Sequence, residues 1–209
     1  PLVATQTEDV AFMVLLAGPG VPGDRLLLEQ EALIARASGA SEEAIKTAQS
    51  RNKALFYLVS QFENKEALAA ELEDQINAFI DEEARVDFPQ EMNRETYVKQ
   101  QANQRANPWM MYFIKHNPAF VLESVTCPVL ALNGSNDLQV SAAQNLPAIE
   151  AALKAGGNTQ VTIKEFDGLN HLFQESATGA PSEYGEIEQT MAPIVLETIT
   201  DWILKQTEE

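Results

Sequence analysis

The sequence predicts an α/β fold, in which helices cover a parallel sheet and an all-helical insertion separates two of its strands. Three short apolar segments end in glycine-containing turns, which is typical of buried parallel strands. Helical patterns follow the second and third segments, so strand and helix alternate as in a right-handed βαβ unit. About a hundred residues between the first and second segments carry only helical patterns.

The three predicted strands are Val10 to Leu16, Pro128 to Leu132 and Val161 to Phe166. The first two are apolar on both faces, as expected of strands that are covered on both sides. The third is more polar, which indicates a position near the edge of the sheet.

Two helices are predicted in the second half of the chain. One runs from Asn145 to Ala155, with Pro147 in its first turn, where the missing N–H costs nothing, and with Gly156-Gly157 after its end. The other begins at Pro193. Its apolar residues recur at helical spacing and share one face: Val195, Ile199 and Trp202.

The helical insertion is predicted from about Asp24 to Ser124, so the α/β domain would comprise residues 1–23 and 125–209. Three apolar stripes predict its longer helices: Leu26, Leu33 and Ala37; Leu55, Leu58 and Phe62; Leu68, Leu72, Ile76 and Phe79. Two shorter helices are predicted over Tyr97–Arg105 and Trp109–Lys115, with a break before them at Phe88-Pro89. The aromatic residues from Trp109 to Phe113 suit either an acyl-binding pocket or packing within the insertion.

The charge of the chain excludes several classes of partner. Lys and Arg total 14 against 31 Asp and Glu, and 14 − 31 gives a net charge of −17. Because this field repels polyanions, we expect neither nucleic acid nor an anionic membrane surface as a partner. No apolar run approaches the roughly 20 residues that a transmembrane helix needs, so no membrane span is expected.

Cysteine and histidine are too scarce for most metal sites. Cys127 is the only cysteine, which excludes an internal disulfide and a cysteine-based zinc site. The two histidines, His116 and His171, are too few for a multi-histidine centre. No metal site is therefore predicted, and the compartment stays open.

Two motifs follow the ends of the second and third predicted strands. They are Asn133-Gly134-Ser135-Asn136-Asp137 and Asp167-Gly168-Leu169-Asn170-His171. The carboxyl ends of parallel strands meet at one edge of the sheet, where catalytic groups gather. Taken singly, Asp137 suits a turn residue that caps the next helix and His171 a half-buried loop residue. Together they predict a carboxylate that accepts the imidazole Nδ1–H of a general base.

These segments resemble the last two strands of α/β-hydrolase esterases. The resemblance rests on Cys127 to Asp137 and on Gly168 to Phe173, and the opening Leu15 to Asp24 is similar to the strand-to-cap junction of bacterial carboxylesterases with a helical cap. It implies that Asp137 is the acid of a Ser-Asp-His triad and His171 its general base. It also implies a small-molecule carboxylic ester as substrate, an acyl-enzyme intermediate and no cofactor.

The chain departs from this family at the nucleophile. The family's serine lies in a G-x-S-x-G turn, and none of the nine serines of this sequence has glycine at both required positions. The segment Pro1 to Ala4 looks like the end of the helix that follows that turn. We therefore expect the serine to lie upstream of Pro1, the 209-residue chain to be inactive by itself, and a homo-oligomer to form through the exposed strand edge at Val10 to Leu16.

Two other functions remain open from the sequence. A non-catalytic relative of the α/β-hydrolases would use the same fold as a binding or interaction module. A triad enzyme of the same fold would cleave a peptide or a carbon–halogen bond instead of an ester. The residues visible in this sequence do not distinguish these hypotheses.

Overall fold

The computed structural model describes residues 1–82, 88 and 92–207, and its architecture is α/β. The strands are β1 (Met13–Leu16), β2 (Val129–Gly134) and β3 (Val161–Phe166). The helices are α1 (Gly23–Ala37), α2 (Glu42–Gln61), α3 (Lys65–Asp81), α4 (Arg94–Arg105), α5 (Pro108–Lys115), α6 (Pro118–Leu122), α7 (Ala142–Ala155) and α8 (Pro193–Thr207).

The three strands form one parallel sheet in the order β1-β2-β3. Strand β3 has the bounds that the sequence predicts, whereas β2 begins one residue later than predicted, at Val129, and ends two residues later, at Gly134. Strand β1 begins at Met13 instead of Val10, because the ladder starts where the Met13 N–H donates to the carbonyl of Pro128, just before β2 itself begins.

The central strand β2 is buried on both faces, as predicted. Val129 and Ala131 pack on one side in a cluster that includes α7, and Leu130 and Leu132 pack on the other in a cluster that includes Val195 of α8. Alternate side chains of a strand point to opposite faces, so an uninterrupted apolar run can fill two cores at once.

The predicted start of α7 is wrong. The helix begins at Ala142, three residues before the predicted Asn145, because the carbonyl of Ser141 already accepts the Asn145 N–H. Pro147 therefore lies in the second turn, inside the helix, where it cannot donate to the carbonyl of Ala143.

The chain divides into two compact units. The α/β unit comprises residues 1–41 and 117–209, and the helical unit comprises residues 42–116. The described residues of the predicted insertion, 24–124, are helical or irregular and form no strand. That the insertion is a domain with these boundaries stays a prediction. Of the predicted break at Phe88-Pro89, Pro89 lies outside the described residues.

The helical unit has its own apolar core. The predicted stripe on α3 is buried at Leu68, Leu72 and Ile76. On α2 the buried residues include Leu55, which belongs to the predicted stripe, and Val59, which does not. In the described part of the chain, no helix combines the length and the apolar character that crossing a bilayer requires.

Candidate active site

The turn after β2 holds Asp137 by its carboxylate. Its Oδ1 accepts the backbone N–H groups of Gln139 and Val140, both at 2.8 Å. The buried Asn133 donates from its side chain to the carbonyl of Val140, at 2.7 Å, which closes the same turn. Asp137 is thus a turn residue, but it does not cap the next helix, because the residue that precedes α7 is Ser141.

The loop after β3 is folded tightly around the fully buried Asn170. Its Oδ1 accepts the N–H groups of Leu172 and Gln174, at 2.9 and 3.0 Å. The Asn170 N–H donates to the carbonyl of Gln174, and buried Phe173 adopts a left-handed conformation with φ of 58°. His171 lies inside this loop, so its backbone position is fixed by hydrogen bonds on both sides.

The two loops contact each other through their backbones at Gly134. A Cβ atom built on Gly134 would lie 2.1 Å from the carbonyl oxygen of Leu169, which only a glycine allows. The same carbonyl accepts the Asn136 N–H at 3.0 Å, and the Ser135 N–H donates to the carbonyl of Phe166 at 2.8 Å. This contact brings the residues that follow β2 and β3 together.

Asp137 and His171 meet at the carboxyl ends of β2 and β3. Asp137 Oδ2 lies 2.9 Å from His171 Nδ1; the carboxylate side chain is 0% exposed and the imidazole side chain 27% exposed. An ionised carboxylate only accepts hydrogen bonds, so Nδ1 is the donor and Nε2 is left to take a proton. Within the described residues, Nε2 has no hydrogen-bond partner.

A segment that we call the strap, residues 176–184, covers the Asp137 turn. Asn136 donates from Nδ2 to the carbonyl of Ser176 at 2.8 Å. Gly179, at φ of 75°, lies so close to the Asn136 carbonyl that a Cβ atom there would be 1.8 Å from its oxygen. Glu183 accepts hydrogen bonds from the hydroxyls of Ser176 and Thr178, which lower the pKa of its carboxyl.

Tyr184 ends the strap beside the Asp137–His171 pair. Its hydroxyl accepts a hydrogen bond from Nε2 of Gln139 at 3.0 Å. Burial raises the pKa of Tyr184, and the hydrogen bonds from Gln139 and from the His171 main chain oppose that rise. No sequence pattern indicates Tyr184 or Gln139, because they are 45 residues apart and no spacing connects them.

The structure brings no serine of the described residues to the imidazole. Ser135, the serine nearest in sequence to Asp137, donates to Oδ1 of Asp167 at 3.3 Å and accepts the Gly168 N–H at 2.8 Å. It therefore links the two loops by hydrogen bonds, neither of which involves His171. The described residues also contain no group of three or more His, Cys, Asp or Glu side chains that could hold a metal ion.

Helix α5 of the helical unit has one buried and one exposed face. Met111 and Ile114 are buried in the core of that unit. Trp109 is 63% exposed and stacks on Phe113 with ring centroids 5.0 Å apart, and Tyr112 is also exposed. Of the two predicted roles, Met111 thus has that of packing within the unit. An acyl-binding role for the exposed aromatic residues stays a prediction.

No protein-family model and no curated protein sequence matches this chain.

Proposed function

We propose that Asp137 and His171 are the acid and the general base of a serine hydrolase that acts on carboxylic esters. One observation carries the proposal: a buried carboxylate bonds at 2.9 Å to a partly exposed imidazole where two adjacent parallel strands end. The proposed serine comes from a segment outside this sequence, because no serine described here contacts the imidazole.

In this mechanism His171 moves protons and Asp137 stabilises it. Nε2 takes the proton of the serine hydroxyl as the serine oxygen attacks the ester carbonyl, and the Asp137 carboxylate stabilises the resulting imidazolium. The imidazolium then gives its proton to the leaving alcohol, which leaves an acyl-enzyme. Water, deprotonated by Nε2, attacks the acyl group and releases the acid, and His171 returns its proton to the serine.

The ester class of the substrate rests on the resemblance of the two strand-end motifs to esterases. The same acid–base pair would also serve cleavage of a peptide bond, and no cofactor is required in either case. A small aryl ester is the most direct probe, because its good leaving group makes the acylation step easy to observe.

The test uses the protein that carries the preceding segment together with this chain. We expect it to hydrolyse p-nitrophenyl acetate, and His171→Ala and Asp137→Asn to lower kcat by about 10³- to 10⁴-fold. His116→Ala, at the end of α5, is the matched control and should leave kcat unchanged.

Three outcomes would count against the proposal. His171→Ala with full turnover would exclude the general-base role, and a preceding segment without a serine turn would favour a non-catalytic binding module. Turnover by the 209-residue chain alone, if abolished by His171→Ala, would contradict a nucleophile outside this sequence.

We also propose that the 209-residue chain forms a homo-oligomer through β1. This strand lies at one end of the described sheet, and Leu16 at its carboxyl end is 45% exposed. An uncovered strand edge offers unpaired N–H and C=O groups on which another chain can pair.

A further inference from the structure

The carboxylate of Asp137 needs a fixed rotation to reach His171. Its Oδ1 is held by the N–H groups of Gln139 and Val140, and this directs Oδ2 toward Nδ1. The orientation of the carboxylate therefore depends on where the Gln139 backbone lies. A residue that holds Gln139 in place would act on the catalytic pair without contacting a substrate.

The side chain of Gln139 is held by Tyr184. Its Nε2 donates to the phenol oxygen at 3.0 Å, across 45 residues of sequence. Residue 139 is thus bound at two points, by its backbone to Asp137 and by its side chain to the strap.

The strap itself is anchored next to Tyr184. Glu183 binds the hydroxyls of Ser176 and Thr178, and the Gly179 N–H donates to the Ser176 hydroxyl at 2.8 Å. The carbonyl of Ser176 is bound in turn by the side chain of Asn136, the neighbour of Asp137. The Tyr184 phenol therefore belongs to a strap that is itself hydrogen-bonded to the Asp137 turn.

We propose that Tyr184 is a positioning residue of the Asp137–His171 pair, acting through the hydrogen bond of its hydroxyl with Gln139. This role deepens the proposed function and rests on it. The competing explanation is that the Tyr184 ring only packs against the turn. Replacement by phenylalanine distinguishes the two, because it keeps the ring and removes only the hydroxyl.

The test is nitrogen-15 and proton NMR of the imidazoles in the full 209-residue chain. Since the chain has two histidines, spectra of a His116→Asn variant assign both rings. We expect Tyr184→Phe to speed exchange of the His171 Nδ1 proton with water by about two- to tenfold, the effect of one hydrogen bond of ordinary strength. The fraction of the His171 ring with its proton on Nδ1 should fall as well.

The helical unit offers a matched control. The hydroxyl of Tyr112 lies 3.4 Å from Nδ1 of His116, so Tyr112→Phe removes a phenol hydroxyl beside the other imidazole. We expect this variant to leave the His171 signals unchanged. If Tyr184→Phe also leaves the exchange rate and the proton position of His171 unchanged, the positioning role is excluded.

A second variant keeps the proposal testable if Tyr184→Phe does not fold. Gln139→Met removes the amide that donates to the phenol and keeps the length of the side chain. It should shift the His171 signals in the same direction as Tyr184→Phe but by less, because Tyr184→Phe also removes the hydrogen bond from the His171 main chain. The double variant should match Tyr184→Phe alone, because the bond to Gln139 is already lost in that variant. No shift in Gln139→Met, or effects that add in full, would overturn the proposal.

The NMR result and the esterase assay can fail separately. The NMR measurement requires no turnover, so a protein without esterase activity that shows the expected shift would lose only the proposed function. In an active parent protein, Tyr184→Phe should lower kcat and leave KM unchanged, since the phenol positions the base and is not proposed to bind substrate.

Discussion

The two oxygens of the Asp137 carboxylate have different partners. Oδ1 accepts two backbone N–H groups of its own turn, and Oδ2 accepts from His171. One side chain therefore serves both as a turn residue and as the partner of the histidine, although it does not cap α7, which Ser141 precedes.

Asp137→Asn should separate these two functions. The amide oxygen can still accept the N–H groups of Gln139 and Val140, but the amide NH₂ then faces Nδ1 and cannot accept from it. We expect the neutral His171 ring to move its proton to Nε2, a change that nitrogen-15 NMR detects. A ring that keeps its proton on Nδ1 in this variant would show that the carboxylate does not set the tautomer.

Gly134→Ala should disrupt the contact between the two site loops. Its Cβ atom would lie 2.1 Å from the Leu169 carbonyl oxygen, and because that atom is backbone, the loop must move. We expect a loss of about 1–3 kcal/mol or more in the free energy of unfolding, measured with urea. Gly185→Ala is the control, since no atom lies within 4 Å of its Cβ position, and it should stay within about 0.5 kcal/mol.

At the scale of the elements, β2 determines both cores of the α/β unit. Leu130 is 1% exposed in the cluster with α8, so Leu130→Ala should lower the free energy of unfolding by about 2–5 kcal/mol in urea. Leu196 lies on α8 and is 53% exposed, and Leu196→Ala should change it by less than about 0.5 kcal/mol. Equal losses in the two variants would contradict the assignment of these faces.

The strap should loosen in acid. Hydrogen bonds from Ser176 and Thr178 hold the pKa of Glu183 below its ordinary value of 4.5. A group with a depressed pKa contributes stability above its unfolded value, and the contribution is lost as the pH falls through the folded value. We expect the Thr178 and Gly179 amide signals to shift below about pH 4.5, and Glu183→Gln to remove that pH dependence. Persistence of the shift in Glu183→Gln would assign it to another group.

The sequence predicted most elements because local pattern determines them. The bounds of β3 and the two-sided burial of β2 follow from short apolar runs that end in glycine-containing turns. The start of β1 was mispredicted because it depends on where the partner strand begins. The start of α7 was mispredicted because Pro147 was assigned to the first turn, whereas the helix accommodates this proline in its second turn. The Asp137–His171 contact was predictable from strand ends, whereas the strap depends on hydrogen bonds between distant loops that no local pattern encodes.

At the scale of the whole molecule, the chain combines a net charge of −17 with a strand, β1, at the end of its described sheet. The charge opposes association, whereas in the proposed oligomer the edge of β1 pairs with another chain. Because charge repulsion is screened by salt, the balance between the two should depend on ionic strength.

Sedimentation velocity should therefore show a homo-oligomer at micromolar concentration, more populated at about 150 mM salt than at about 10 mM. Leu16→Lys places a charge at the exposed end of β1 and should shift the distribution toward monomer, since charged residues at sheet edges discourage pairing. Leu204→Lys, on the exposed face of α8, is the control for added charge. A monomer under all these conditions would exclude association through this edge.

The register of β2 against β3, in which Gly134 is opposite Phe166, determines the distance between the loops that carry Asp137 and His171. Slipping one strand while keeping each side chain on its own face of the sheet requires two residues, and at about 3.3 Å per residue that moves one loop by about 6.6 Å. The hydrogen bond between carboxylate and imidazole spans 2.9 Å, so such a slip would separate them completely. A two-residue slip between the strands would thus keep the sheet and its cores but break the hydrogen bond that links Asp137 to His171.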